Sequence, residues 1–359
     1  MKTLAILTSH DEDFDFEYVQ LVKGLTRHYK VHVICHTKYK GALCTLDVVL
    51  HHIDCKSKLD FQAIKKMRRL IKTFQFDIIY TQTNRLLAIS ILSTYFLSQV
   101  PAIFVRRGIC APVYKYRIED YLTYFSQRLK HVITISNAAK KSLSDGGFQN
   151  TKITTIHPAL DENAFNKDVD HQLFRQNNNI PLDAILVMSI ANKRHIKGLD
   201  RVLAAADKLK EKNIYWCLIG WGCDQRLLDD LKRDKPEKVR LLGFLEDAFQ
   251  YLSACDIYVQ ASRMEGLSYS LMQAILKGCC PVISKTGGMA ELVEDRYNGL
   301  TFDNNDQTAS DDLSSLVMEL IEKPNLRSAL ALKGPEKLSR DFSHKKMLEK
   351  TISVFEQYS

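Results

Sequence analysis

Residues 262–293 contain an acid and several glycines at spacings that suit a phosphate-bearing ligand. Glu265-Gly266 follows one short apolar stretch, and Gly287-Gly288 follows another. Glycine lets the backbone come close to a ligand, and the first N–H groups of a helix have no partner inside the helix. A helical pattern follows each glycine segment, so the sequence predicts two helix N-termini that attract a pyrophosphate. The alternative is that the glycines only cap and turn an α/β domain.

A basic loop upstream offers the cations that a pyrophosphate requires. The segment 189–198 contains Arg194 and Lys197 and ends with Gly198. Arginine and lysine bind phosphate oxygens through charge-assisted hydrogen bonds. A solvated basic loop without a ligand is the alternative, and the residues by themselves leave both interpretations open.

Strands and helices alternate along the first half of the chain. The predicted strands are residues 4–7, 31–35, 77–80, 102–105 and 132–135, and the predicted helices are residues 16–29 and 60–74. In the second of these helices, one apolar face is expected to contain Phe61, Ile64, Met67, Leu70, Ile71 and Phe74. Such alternation implies parallel strands with right-handed crossovers, and hence a doubly wound α/β domain.

The pattern stops between residues 161 and 183, which are rich in Asn, Asp and Gln, and we interpret that segment as an inter-domain connection. It begins again with predicted strands 184–188, 215–219, 239–242, 257–259 and 280–283, and helices 199–212 and about 268–277. The predicted domains are residues 1–160 and 161–342, and a helix at about 343–359 is expected to pack on the first. A cleft between the domains is the expected ligand site.

Positive charge is concentrated in the first half. Residues 1–160 contain 23 Lys and Arg against 12 Asp and Glu, whereas residues 161–359 contain 27 against 30. The cations of helix 60–74 are Lys65, Lys66, Arg68, Arg69 and Lys72. Docking of this helix on an anionic bilayer and an ordinary solvated face both stay open. We expect no nucleic-acid partner, because no known binding module is recognised.

Cysteine usage and hydropathy suggest a compartment. The nine cysteines form no Cys-x-x-Cys pair, which favours buried, reduced thiols over disulfides or a zinc site. There is no apolar run of about 18 residues, and the apolar stretch 4–7 is too short for a signal peptide. We therefore expect a cytoplasmic protein, attached peripherally to the inner face of the membrane if the basic helix docks there.

The motifs of the second half resemble the donor-site signature of the family 4 retaining glycosyltransferases, or glycosyl transferases group 1, which have the GT-B fold. In that family Glu-Gly, and a second Glu eight positions after the first, precede a Pro-Val-Ile strand and a Gly-Gly-x-x-Glu loop. The matching segments are 265–273, 280–283 and 287–291. The resemblance extends from about residue 184 to 302 and implies two doubly wound, Rossmann-like domains that face each other across a cleft.

The resemblance assigns roles to residues of the second domain. It implies that Glu265 contacts hydroxyls of the transferred sugar, and that Arg194 and Lys197 bind the donor diphosphate. The other implied nucleotide-sugar-binding residues are Gly220, Gly222, Gly266, Leu267, Ser268, Gln273, Gly287 and Gly288. Gln273 departs from the family, which has Glu at this position. An amide still forms hydrogen bonds with ribose hydroxyls.

The first domain departs further from the family. Where the family commonly has a His after strand 102–105, this chain has Arg106-Arg107, and we predict that Arg107 stabilises charge on the leaving phosphate. A basic residue at the rim is the alternative. The loop after the first strand contains Asp11 and Asp13 in place of a glycine pair. We assign no metal to it, because the family implies none and loop carboxylates are commonly solvated.

The resemblance implies a retaining, metal-independent transfer of a sugar from a nucleoside-diphosphate sugar to an acceptor hydroxyl. The expected acceptor is a glycan or a lipid-linked molecule in the synthesis of a cell-surface polysaccharide such as lipopolysaccharide. No cofactor beyond the donor is expected. Two alternatives stay open: a GT-B-fold sugar-nucleotide epimerase, and a donor-binding subunit without catalysis, which Gln273 suggests.

Overall fold

Two separate parallel β-sheets organise the computed structural model of the chain. The structure describes residues 1–8, 16–35, 41–160 and 168–358. It divides into unit 1, which comprises Met1–Asp161 and Phe342–Ser359, and unit 2, which comprises Glu162–Asp341. The loop with Asp11 and Asp13 lies outside the described residues.

The sheet of unit 1 contains seven strands, all of them parallel. They are β1 (Thr3–Thr8), β2 (Lys30–Cys35), β3 (Val49–His52), β4 (Ile78–Thr81), β5 (Ala102–Arg107), β6 (Leu129–Thr134) and β7 (Ile153–Thr155). Their order in the sheet is β3-β2-β1-β4-β5-β6-β7. Every strand predicted in this half is present. The two edge strands, β3 and β7, were not predicted, because runs of four and three residues are too short for a periodic pattern.

Unit 1 has five α-helices before the connection in the part of the chain that the structure describes. They are α1 (Phe16–Leu25), α2 (Phe61–Phe74), α3 (Asn84–Ser93), α4 (Ile118–Leu122) and α5 (Asn137–Asp145). The side chain of Asp60 caps α2, and the side chain of Thr83 caps α3. Such caps satisfy backbone N–H groups that have no acceptor inside the helix, and they define where each helix begins.

Helix α2 buries most of the predicted face, because Met67 and Ile71 lie in the core and Ile64, Leu70 and Phe74 pack against it. Its buried residues are Ala63, Met67 and Ile71. Phe61 is 82% exposed, so its assignment to the buried face was wrong. The physical reason is helix geometry, because a residue two positions before Ala63 lies about 200° away around the axis. Arg68 is only half-exposed and donates to the backbone carbonyl of Ser93 at the end of α3, so it joins two helices.

The sheet of unit 2 has six parallel strands. They are β8 (Ile185–Ile190), β9 (Ile214–Ile219), β10 (Val239–Gly243), β11 (Ile257–Gln260), β12 (Cys280–Ser284) and β13 (Leu300–Phe302), in the order β10-β9-β8-β11-β12-β13. Its helices are α6 (His171–Asn177), α7 (Leu199–Lys208), α8 (Gln225–Leu231), α9 (Tyr269–Leu276), α10 (Met289–Leu292), α11 (Ala309–Glu322) and α12 (Pro324–Asp341). Among the described residues, no helix is long and apolar enough to cross a membrane.

Helix α6 corrects the prediction that residues 161–183 only connect two domains. Asp170 caps this helix by accepting from the backbone N–H groups of Gln172 and Leu173. The ring of Phe174 is buried and lies 5.3 Å from the ring of Tyr251. The polar composition of residues 161–183 gave no sign of this helix, because Phe174 is its single buried residue.

The C-terminal helix α13 (His344–Glu356) completes the core of unit 1. The ring of Phe355 lies 4.9 Å from that of Phe104 on β5 and 5.4 Å from that of Tyr80 on β4. Just beyond the helix, the hydroxyl of Tyr358 lies 3.1 Å from Nδ1 of His131 on β6. Aromatic burial of this kind contributes strongly to stability. Met347, Val354 and Phe355 of helix α13 therefore form part of the first sheet's core.

Two buried histidines make the stability of unit 1 dependent on pH. Burial lowers the pKa of His32 to about 4, with further contributions from the charges of His51 and Lys30. Burial also lowers the pKa of His131 to about 4, and Lys140 adds to the effect. Both rings are therefore neutral in the folded unit, whereas in the unfolded chain they bind protons near the ordinary histidine pKa of 6.5.

We expect the free energy of unfolding of unit 1 to fall as the pH drops from 6.5 to 4. In this window the unfolded chain binds protons that the folded unit excludes, and each histidine contributes up to about 3 kcal/mol. Urea unfolding followed by far-UV circular dichroism at pH 7.5 and pH 5 measures the change. His32→Gln should reduce the pH dependence, and the exposed control His28→Gln should not. Equal stability of the parent at both pH values would contradict this expectation.

Candidate functional site

Loops at one edge of the unit 2 sheet hold most of the predicted site residues. All six strands are parallel, so their carboxyl ends lie at the same edge. Strand β8 lies between β9 and β11. From β8 to β10 the chain adds strands on one side of the sheet, and from β11 to β13 it adds them on the other side. Ligands of open α/β sheets bind in the crevice at such a switch point. The loop after β8 contains Lys197, and the loop after β11 contains Glu265.

Lys197 and Glu265 form an ion pair at this switch point. Nζ of Lys197 lies 2.6 Å from Oε2 of Glu265. The two side chains are 17% and 12% exposed, so water screens their charges less than it does on an open surface. The sequence predicted each residue separately, and the structure brings them together. The pair places a cation and a carboxylate where a ligand with phosphate and hydroxyl groups would meet both.

Further hydrogen bonds orient the carboxylate of Glu265. Nε2 of Gln260 donates to Oε2 of Glu265 over 3.0 Å, and the hydroxyl of Ser262 donates to the same oxygen over 3.5 Å. The hydroxyl of Ser268 donates to Oε1 of Gln260 over 2.7 Å, which fixes the orientation of that amide. Gln260 is thus a positioning residue that the sequence analysis missed. A polar residue at the end of a buried strand was the available indication.

The helix behind Glu265 carries two more predicted residues. Ser268 is the N-cap of α9, and its Oγ accepts from the backbone N–H of Leu271 over 3.2 Å. Leu267 beside it is buried. Gln273 lies on α9, a little over one turn from the cap, and is half-buried. None of the residues that the structure describes hydrogen-bonds its amide, which leaves this amide available to a ligand.

Gly287 and Gly288 pack directly against the loop that contains Glu265. Gly287 has a φ of +53°, and a Cβ at this position would lie 1.6 Å from the backbone oxygen of Glu265. The N–H of Gly288 donates to the carbonyl of Gly266 over 2.9 Å. Only glycine fits at position 287, because any side chain would push the loops after β11 and β12 apart. These contacts fix the backbone that carries Glu265.

An arginine that the sequence analysis did not single out connects the surrounding loops. Arg263 donates to both carboxylate oxygens of Asp200, over 2.8 and 2.7 Å, and to Oδ1 of Asp306 over 2.8 Å. Burial raises the pKa of Asp200, but the hydrogen bond and charge of Arg263 outweigh it, so the pKa is lowered. The partners lie on α7 and after β13. Sequence spacing gives no indication of contacts between such distant segments.

The remaining residues that were predicted to bind the nucleotide sugar lie in the loops after β8 and β9. Arg194 is exposed, and its Nε donates to Oδ1 of Asn192 over 3.1 Å. Gly220 and Gly222 lie in the loop after β9, both with positive φ. The N–H of Gly220 donates to the carbonyl of Gly243 over 2.7 Å, which joins this loop to the end of β10. Contact of these three residues with a donor stays a prediction.

Arg107 lies at the end of β5 in unit 1 and is 5% exposed. Nη1 donates to the hydroxyl of Tyr124 over 2.7 Å, and Nη2 donates to the carbonyl of Ala111 over 2.7 Å. Burial raises the pKa of Tyr124, which keeps the phenol neutral. The alternative of a rim residue was therefore wrong, because the side chain is held inside unit 1. Its action on a leaving phosphate stays a prediction.

Comparison with known proteins identifies the family. Residues 18–164 match the model described as Glycosyltransferase Family 4, and residues 170–337 match the model described as Glycosyl transferases group 1. The lipopolysaccharide core biosynthesis glycosyltransferase LpsE of Rhizobium meliloti is 27% identical over 176 residues, which are 48% of this chain and 50% of that protein. The chain spans about half the length of the first curated relatives it matches.

Solved structures share the fold at low sequence identity. A glycosyltransferase from Rickettsia africae ESF-5 superposes with a TM-score of 0.82 and 17% identity, covering 99% of this chain and 98% of that one. Anabaena Alr3699/HepE in complex with UDP-glucose superposes with a TM-score of 0.80 and 18% identity, covering 99% and 100%. The prediction of a GT-B fold is confirmed. The chain belongs to the group 1 family of glycosyltransferases.

Proposed function

We propose that this chain is a glycosyltransferase that moves a sugar from a nucleoside-diphosphate sugar to an acceptor hydroxyl. The observation that carries the proposal is the ion pair of Lys197 and Glu265 at the switch point of unit 2, beside the glycine loop at 287–288. Family membership supports a transferase, and HepE, a structural neighbour, binds UDP-glucose. Unit 2 is the proposed donor-binding domain, and unit 1 the proposed acceptor-binding domain.

In this proposal, different residues of unit 2 bind different parts of the donor. Lys197 and Arg194 bind the diphosphate, together with backbone N–H groups of the glycine loops. Glu265 accepts hydrogen bonds from hydroxyls of the sugar, in the orientation that Gln260 fixes. Gln273 bonds the ribose through its amide, which both donates and accepts. These roles are the ones that the resemblance to the group 1 family implies.

The proposed reaction retains the anomeric configuration and uses no metal. The acceptor hydroxyl attacks the anomeric carbon from the face that the diphosphate leaves, and the leaving phosphate oxygen takes the hydroxyl proton. Lys197 stabilises the charge that develops on the diphosphate, since a cation in a partly shielded site acts strongly on such charge. Exclusion of water protects the donor from hydrolysis.

The proposed pathway is the synthesis of a cell-surface glycan at a membrane. LpsE, a relative, is named for lipopolysaccharide core biosynthesis. Lys65 and Lys66 on α2 are exposed. Phe61 at the start of this helix is 82% exposed, and Leu59 just before the helix is 62% exposed. Exposed apolar side chains next to cations suit the interface of an anionic bilayer. This combination supports peripheral attachment through unit 1.

A screen of UDP-, GDP- and ADP-sugars by thermal shift tests donor binding. A ligand at 100 times its dissociation constant adds about 2.7 kcal/mol of stability. Lys197→Ala should abolish most of the shift, because a charge-assisted hydrogen bond to phosphate contributes roughly 1.5–3 kcal/mol. Lys210→Ala, which removes an exposed lysine after α7, is the control. Unchanged affinity for nucleotide in Lys197→Ala would remove this residue from the site.

Incubation of the parent with a labelled donor and no acceptor then separates the transferase from its alternatives. A transferase hydrolyses the donor slowly, an epimerase inverts a stereocentre of the sugar, and a binding subunit leaves the donor intact. Either of the last two outcomes would contradict the proposed function.

A further inference from the structure

Arg263 lies two positions before Glu265, in a place where an arginine would be expected to bind the donor diphosphate. Its guanidinium is instead occupied by the protein. Besides the bonds to Asp200, Nη1 donates to the carbonyl of His195 over 2.9 Å, and Nη2 lies 2.7 Å from Oδ1 of Asp306, to which Nε donates. The hydrogen bond with Asp200 is the main reason why the pKa of Arg263 is raised. Every nitrogen of this side chain therefore has an acceptor within unit 2, and two carboxylates balance its charge.

The backbone around Arg263 meets the segment that contains Lys197. The N–H of Arg263 donates to the carbonyl of Ile196 over 2.8 Å. Gly198 has a φ of +67°, and a Cβ at this position would lie 1.9 Å from the backbone oxygen of Ala261. The loop after β8 thus packs directly on the first residues after β11, with no space for a side chain between them. The position of the Lys197 backbone, between Ile196 and Gly198, depends on these contacts.

A second arginine, Arg201 on α7, extends these contacts to the loop after β13. Its side chain is 4% exposed, and its Nε and Nη2 donate to Oδ1 of Asp306 over 3.0 and 2.7 Å. Its Nη1 donates to the carbonyl of Ala261 over 3.1 Å. Nδ2 of Asn304 donates to the carbonyl of Arg263 over 2.9 Å. One network of hydrogen bonds therefore joins the loops after β8, β11 and β13, and Arg263 is the residue that contacts all three.

We propose that Arg263 is a positioning residue, which holds the segment 195–200 so that Lys197 meets both Glu265 and the donor diphosphate. The inference rests on the proposed transferase function and adds a residue that acts on the donor through Lys197 and does not contact it. A lysine side chain is long and flexible, so its charge reaches a given phosphate oxygen only if its backbone is fixed. Loss of Arg263 should therefore weaken binding of the diphosphate without removing any group that touches it.

Calorimetry of the full chain with UDP, GDP and ADP in turn, in a double-mutant cycle, tests this role. Arg263→Gln should weaken binding of the preferred nucleotide about ten- to hundredfold, as expected for a displaced binding group. In the Lys197→Ala background the same substitution should weaken binding less than about twofold, because residues that act as a unit are not additive. Arg263→Lys keeps a cation that pairs with one carboxylate, so it should recover part of the affinity.

Hydrogen–deuterium exchange of the ligand-free protein measures the position of the segment without any nucleotide. The backbone N–H groups of Lys197 and Gly198 donate to the carbonyls of Arg194 and His195 over 2.8 and 3.1 Å, so their exchange reports whether the segment opens. In Arg263→Gln these amides should exchange at least about tenfold faster than in the parent.

Arg296→Gln is the matched control. Arg296 donates through Nη1 and Nη2 to the two carboxylate oxygens of Glu319, both over 3.1 Å, so this variant also breaks a two-bond pair within unit 2. Because Arg296 lies just before β13 and pairs with α11, its loss should leave nucleotide affinity and the exchange of segment 195–200 unchanged. Melting temperatures of all variants show whether a loss of binding reflects unfolding.

Three outcomes would overturn the proposal. An equal loss of affinity with and without Lys197 would show that Arg263 acts on the nucleotide independently of this lysine. Parental affinity in Arg263→Gln would show that the site does not need it, and unchanged exchange would show that it does not hold the segment. Failure of the parent to bind any of the three nucleotides would instead contradict the proposed donor site, and the exchange experiment would still decide whether Arg263 fixes residues 195–200.

Discussion

Glu265→Gln should lower kcat about a hundred- to a thousandfold and leave the affinity for a free nucleoside diphosphate little changed. The proposed partner of Glu265 is the sugar, which the free nucleotide lacks. The amide keeps the size of the side chain and still accepts from Gln260, so the loss reflects the missing charge. The substitution also releases Lys197 from its ion pair, and nucleotide affinity should therefore hold or rise slightly.

Steady-state kinetics with the donor identified by the screen, together with calorimetry of the free nucleotide, measures both quantities. Glu322→Gln at the exposed end of α11 is the matched control and should behave as the parent. The change leaves Lys197 without its carboxylate, so a fall of a few degrees in melting temperature is expected. A parallel loss of kcat and nucleotide affinity would show that Glu265 does not act through the sugar.

Gly287→Ala should disrupt the site and destabilise unit 2 by about 3 kcal/mol or more. A Cβ there would lie 1.6 Å from the backbone oxygen of Glu265, so the two loops must separate. The atom that the Cβ would meet belongs to the backbone, so it cannot avoid the contact by a side-chain rotation. The displacement moves Glu265 and breaks the hydrogen bond between Gly288 and Gly266. Nucleotide binding and turnover should therefore fall together.

Gly278→Ala is the matched control for this prediction. Gly278 also has a positive φ, of +77°, but a Cβ at this position would meet nothing within 4 Å. It should cost only about 1–2 kcal/mol of backbone strain and leave activity intact. The chain has two tryptophans, Trp216 and Trp221, and both lie in unit 2, so their fluorescence during urea unfolding reports this unit. If Gly287→Ala and Gly278→Ala had equal effects on stability and activity, the prediction would be wrong, because the close contact at position 287 would then have no effect of its own.

The periodic parts of the fold could be predicted from the sequence. Each strand predicted from a β-branched run is present, because burial of alternate or successive apolar side chains is a local pattern. Prediction failed where the apolar pattern was too short to show a period or was hidden within a polar segment. The edge strands β3 and β7 are examples, and so is α6, which Phe174 anchors within a polar segment. Phe61 was misplaced because periodicity shows that a helix has two faces but not which residues reach the core.

The sequence by itself determined the alternation of strands and helices and the order of the acid, the basic loop and the glycines. These features depend on residues that are near one another in the chain. Only the tertiary structure decided which of them meet. Lys197 and Glu265 are 68 positions apart, and Arg263 bonds Asp306 at a separation of 43. The reason is that hydrogen bonds and ion pairs between distant segments depend on which strands become neighbours in the sheet. The same cause hid the contact between Gln260 and Glu265, for which a polar residue at the end of a buried strand was the available indication.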